Sequence, residues 1–148
     1  MRLQKATTCA LYAVLELAAE PGRQRTVTEI AERYGISAHH LAKVLRDLGR
    51  AGLVDAVRGV GGGYRFAGNP KRLTLWDVIR RFEELGGGGD LSAAEAGQDI
   101  AQGLRFVLAE LDDQAQATLR SISLSTMLKL IGRRPWEADP APARRPAA

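Results

Sequence analysis

Apolar positions recur at intervals of three and four along the first part of the chain. Leu3, Ala6, Ala10, Ala13, Val14, Leu17 and Ala18 fall on one helical face, which predicts a helix over residues 3–20 ended by Pro21-Gly22. A second helix is predicted from Thr26, because Thr26 and Glu29 have the spacing of a capping box. Its buried face starts with Ile30 and Ala31. Gly35 ends it after Tyr34, since glycine accepts the left-handed conformation of a sharp turn. Ser37 then caps a third helix over about 38–49, with Leu41, Val44, Leu45 and Leu48 inward. Two helices joined by a short glycine-containing turn form a helix-turn-helix unit, although the same pattern also suits an ordinary helical hairpin.

The period then changes. Leu53–Val57 and Tyr64–Phe66 suit short strands, and Arg58-Gly59-Val60-Gly61-Gly62-Gly63 joins them. A basic, glycine-rich hairpin has little side-chain bulk and can approach a phosphate backbone or enter a minor groove. Its position directly after a helix-turn-helix is the winged-helix arrangement. Thr74 and Asp77 predict another N-cap, with a helix through Val78, Ile79 and Phe82 to Leu85. A flexible glycine-rich loop is expected over 86–97; it lacks the Lys-Ser/Thr of a phosphate cradle. A long helix follows over about 94–119, with an apolar stripe of Ile100, Leu104, Val107, Leu108 and Leu111. That stripe needs a partner: the N-terminal helix, a second copy, or both. Ser123 caps a last short helix through Leu124, Met127, Leu128 and Ile131, and a Pro/Ala-rich tail over 133–148 is expected to be disordered. The fold class is therefore mainly α with a small β-hairpin wing: a winged helix-turn-helix domain (1–85) followed by dimerisation helices (98–132).

Charge sharpens this reading. Residues 1–85 carry a net +5 and residues 86–132 a net −3, so the part with the wing has the character of a phosphate-binding surface. The single cysteine, Cys9, excludes an internal disulfide and a multi-cysteine zinc site. No apolar run approaches the ~20 residues of a membrane span, and the N-terminus lacks a signal peptide's apolar core, so a cytoplasmic location is expected. Adjacent histidines, one cysteine and no acid–base cluster make a poor catalytic set, so no enzyme is expected.

The opening Met-Arg-Leu, Ile30-Ala31-Glu32-Arg33-Tyr34-Gly35-Ile36-Ser37, His40-Leu41-Ala42-Lys43-Val44-Leu45, Gly52-Leu53-Val54, Val57-Arg58-Gly59 and Gly61-Gly62-Gly63-Tyr64 together resemble the Rrf2 family of regulators, the family of IscR and NsrR, over residues 1 to about 131. The resemblance implies a winged helix with a long dimerisation helix, and a homodimer reading a palindromic operator in double-stranded DNA. Many members also hold an iron–sulfur cluster on three cysteines before the long helix. Residues 86–99 contain no cysteine, and Thr8 stands where some members offer a carboxylate, so no conventional cluster and no other cofactor or metal is expected.

In the DNA-binding set, Ser37 caps the recognition helix and Ala38, His39, Ala42 and Lys43 face outward. Lys43 donates to guanine or phosphate, His39 does so more weakly, and Arg46 meets phosphate or solvent. His40 joins them or packs at the helix-turn-helix interface. Metal binding by His39-His40 is disfavoured, because adjacent helical residues point about 100° apart. Arg58 and Arg65 bracket the wing: one enters the minor groove, the other holds the wing to the body. Gly59, Gly61, Gly62 and Tyr64 complete it. Arg2, Lys5 and Thr28 are further candidates, with plain solvated charge as the alternative for the two basic ones. Trp76 packs near the wing or the dimerisation helix, or lines an effector pocket. Cys9 reads as a small buried hydrophobe, with a redox-sensing thiol as the alternative. The expected function is a DNA-binding repressor; the alternatives are a winged-helix protein-interaction module without specific DNA binding, or a thiol sensor acting through Cys9.

Overall fold

A computed structural model describes residues 2–84, 91 and 97–134. The elements are α1 (Lys5–Ala19), α2 (Val27–Tyr34), α3 (Ala38–Arg50), β1 (Val54–Val57), β2 (Gly63–Phe66), α4 (Leu75–Ile79), α5 (Gln98–Ser121) and α6 (Leu124–Arg133). The glycine run at 86–89, the predicted helix start at 94 and the tail from 135 lie outside the described residues.

Helix α1 is the centre of the body. Ala10, Ala13, Val14 and Leu17 are sealed from solvent, and the helix packs against α3, α4, β2 and α6. The small alanines let α3 approach closely, and Leu41, Val44, Leu45 and Leu48 fill that contact from the other side. Thr26 caps α2 by accepting from the Glu29 amide at 3.1 Å. Gly35 takes φ 63°, in the left-handed region, and its turn delivers the chain to Ser37 at the start of α3. β1 and β2 pair antiparallel with Val54 opposite Phe66 and Val57 opposite Gly63. Val54 and Phe66 point inward and close the core under the hairpin.

The predicted helix over 74–85 stops at Ile79, although its Thr74/Asp77 capping box forms in full. Tighter turns follow, with the Phe82 amide donating to Ile79 at 3.0 Å. The tertiary tie is Glu83, whose carboxylate accepts from the Gln4 amide and, at 2.6 Å, from the buried Thr7 hydroxyl. This fixes the segment to the start of α1 and overrides helical continuation. Helix α6, grouped from sequence with the dimerisation helices, packs on the winged body at its start. Leu124 is fully buried in the winged core, and a backbone bridge joins Thr74 to Ser123. The Leu124 amide donates to Leu73 at 2.8 Å and the Leu75 amide to Ile122 at 3.0 Å. The start of α6 therefore belongs to the winged body. The intervening α5 runs along that body with its apolar stripe uncovered: Ile100, Leu104, Phe106, Val107 and Leu111 are all exposed. No helix among the described residues is long and apolar enough to cross a membrane.

Candidate nucleic-acid interface

The four fully buried residues of α3 are all apolar, and its charged residues lie on the opposite side. His39, Lys43, Arg46 and Arg50 succeed one another at intervals of four, three and four, which aligns them in one exposed stripe. Ala38 is exposed beside them and Ala42 is half-buried. The Ser37 hydroxyl accepts from the His40 amide at 3.4 Å, leaving other amides of the first turn open toward a phosphate. Arg50 pairs loosely with Asp47 at 3.9 Å, whereas Lys43 and Arg46 have no carboxylate partner among the described residues. Arg46 and Arg50 border a cleft of about 320 Å³ that runs from α3 to Tyr64 on the hairpin. Thr28 is exposed in the first turn of α2, and Lys5 is exposed at the start of α1.

The wing is more firmly built than its glycine content suggests. Its loop, residues 58–62, carries the exposed Arg58, and Val60 projects fully into solvent at the tip. The segment before α2 holds it in place. The Gln24 side-chain amide donates to the Gly61 carbonyl at 2.8 Å. Arg25 pairs with Tyr64 as a third strand would: its amide donates to Tyr64 at 2.9 Å and its carbonyl accepts from Tyr64 at 2.8 Å. A Cβ on Gly63 would lie 2.3 Å from the Arg25 carbonyl oxygen, so only glycine permits this approach. Gln24 and Arg25 escaped the sequence reading, because a single bridging residue has no periodicity to reveal it.

Several sequence-predicted residues take other places. His40 is half-buried, with Nε2 shielded from solvent and without a hydrogen-bond partner, so it packs within the helix-turn-helix rather than projecting outward. Tyr64 is half-buried against the core and works as a wing anchor. Arg65 is exposed but lies directly opposite Asp55 across the ladder. Arg2 lines a cleft of about 410 Å³ with Glu83, Glu84, Leu108, Leu111 and Asp112, on the side of α5 rather than of α3. Trp76 meets α5: the Arg120 guanidinium lies 5.5 Å from its ring centroid, a cation–π contact.

The family profile for an iron-dependent transcriptional regulator, Rrf2, matches residues 3–130. The chain belongs to the Rrf2 family. An HTH-type transcriptional regulator, BadM of Rhodopseudomonas palustris, is 54% identical over 145 residues, covering 95% of this chain and 90% of that protein. Among solved structures, CymR of B. subtilis, the global cysteine regulator, superposes with a TM-score of 0.72 at 25% identity, over 87% of this chain and 97% of that one. IscR of T. potens gives a TM-score of 0.65 at 26% identity, over 99% and 94%. This Rrf2 chain is thus a winged-helix, DNA-binding transcription regulator.

The family description names iron, but a cysteine-ligated iron cluster does not fit the thiols of this chain. The whole sequence offers one thiol, Cys9, which is 3% exposed within α1. Burial pushes its pKa above the ordinary value and so disfavours the thiolate that a metal needs. Among the described residues, no three His, Cys, Asp or Glu side chains gather closely enough to hold a metal ion.

Proposed function

We propose that this Rrf2 regulator is a cytoplasmic homodimer that represses transcription by binding a palindromic operator, without a cysteine-ligated cluster. The observation that carries the reading is the exposed basic stripe of α3, in which Lys43 and Arg46 face no carboxylate among the described residues, lying beside an anchored basic wing. Lys43 is placed to read a base edge in the major groove, and His39 and Ala38 flank it in the first turn. Arg46, Arg58 and Thr28 contact phosphates, and Val60 gives the wing tip an apolar surface suited to a minor groove. The uncovered stripe of α5 is the surface for a second copy. A two-fold axis there pairs two recognition helices, and a two-fold protein reads a two-fold sequence.

Titration of the chain's own promoter DNA tests the interface. Lys43→Ala is expected to cost about 1–3 kcal/mol and to relax sequence preference, while Arg58→Ala lowers the salt slope by about one. Full affinity in both variants would overturn the interface. Protein purified without oxygen is expected to be colourless and free of iron; a brown, iron-containing dimer would refute the cluster-free reading. Cys9 is not the proposed sensor, because burial and a raised pKa both slow its oxidation.

A further inference from the structure

The carboxylate of Glu16, on α1, stands outside the apolar core and outside the DNA-facing stripe, yet its side chain is only 10% exposed. Its two oxygens divide their partners. Oε1 lies 3.4 Å from Nε of Arg25 and 3.5 Å from Nη1 of Arg33. Oε2 accepts the hydroxyl hydrogen of Tyr34, the last residue of α2. The Tyr34 ring stacks on Tyr12 with centroids 5.0 Å apart, which fixes it against α1. Burial, and then the bond to Glu16, push the Tyr34 pKa up to about 12, so its hydroxyl stays a donor at any physiological pH.

Two of the three partners, Arg25 and Tyr34, each lead to one half of the proposed DNA interface. Arg25, whose side chain is 16% exposed, holds β2 through both backbone bonds to Tyr64. Tyr34 is followed by the Gly35 turn that aims α3. We infer that Glu16 is a positioning residue for DNA binding, a single, largely buried carboxylate on α1 that sets the wing and the recognition helix in register with each other. The inference rests on the proposed reading of the wing as a DNA contact. A charge suits the task because one carboxylate faces two guanidinium groups and a hydroxyl at once, and because losing it leaves the mostly buried Arg25 guanidinium only a longer contact, 3.9 Å, to the exposed Glu20 carboxylate.

A double-mutant cycle tests it. In the full-length protein, Glu16→Gln is expected to weaken promoter binding about tenfold, and only about twofold or less when Arg58→Ala has already disabled the wing. Equal losses in both backgrounds would overturn the inference, since general destabilisation does not depend on Arg58. Amide exchange provides the arm that needs no DNA. Glu16→Gln should accelerate exchange at Arg25 and Tyr64 while the Leu124 amide keeps its protection; unchanged exchange at Arg25 and Tyr64 would refute it. Arg25→Gln breaks the same contact from the other side and carries the same cycle if Glu16→Gln does not fold. Should Arg58→Ala alone leave binding intact, the wing reading falls, and the exchange experiment still decides the role of Glu16.

Discussion

Helices α1 and α5 carry apolar stripes of the same helical period and meet opposite fates. The α1 stripe is sealed beneath α3, α4 and β2, whereas α5, with 24 residues, buries only Ala101. The difference lies in what the rest of the chain supplies. The neighbours of α1 bring Leu41, Leu45, Val54 and Leu124 to it, while α5 meets the body mainly through α4. A periodic pattern therefore specifies that a face must be covered, and the fold decides whether the cover is internal.

The sharpest way to break this comparison is to charge the α5 stripe. Leu104→Glu with Leu111→Glu should leave monomers in sedimentation velocity, with the helical circular dichroism of the winged body retained. Promoter affinity should fall by about 100-fold or more, because the two half-sites no longer bind as one unit. A variant that stays dimeric would show that α5 is covered by something else. The body should respond differently, through its close contacts. Gly63→Ala drives a Cβ into the Arg25 carbonyl and is expected to cost about 1–3 kcal/mol in urea denaturation. Ser37→Ala removes the cap of α3 and should cost about 1 kcal/mol in the same experiment. Where the two regions meet, Arg120→Ala removes the cation–π contact with Trp76, with an expected loss of about 0.5–1 kcal/mol. The smallest effect concerns Cys9 in the sealed stripe. Its folded pKa is raised above 9.0, so its contribution to stability is complete below pH 9 and declines as pH rises through the folded value. Its reaction with a thiol reagent at neutral pH should be slow in the native protein and fast in urea.

Most of the helical body was legible in the sequence because its signals are local. Gly35, Ser37 and Thr74 do what their spacing predicts, Thr26 makes its own half of the capping box expected with Glu29, and the inward residues of α3 are the four expected. What escaped depends on distant partners. The helix expected after Ile79 is interrupted because Glu83 reaches Gln4 and Thr7, near the other end of the body. The wing reads as a glycine-rich loop, and its rigidity comes from Gln24 and Arg25, some forty residues earlier in the chain. Within the candidate site, the exposed positions His39, Lys43 and Arg46 follow from helical geometry. His40 takes the packed alternative that the sequence also allowed, and Tyr64 turns inward because packing against the body outweighs its polarity.

The bridge between Thr74 and Ser123 bears on how this protein can be taken apart. The chain leaves its DNA-reading half, runs the length of the rod and returns to plug Leu124 into the half it left. Excising the first 85 residues would give a fragment with an empty socket and unpaired backbone groups at Leu73 and Leu75, so reader and rod form one architectural piece that neither truncation nor domain exchange can separate cleanly.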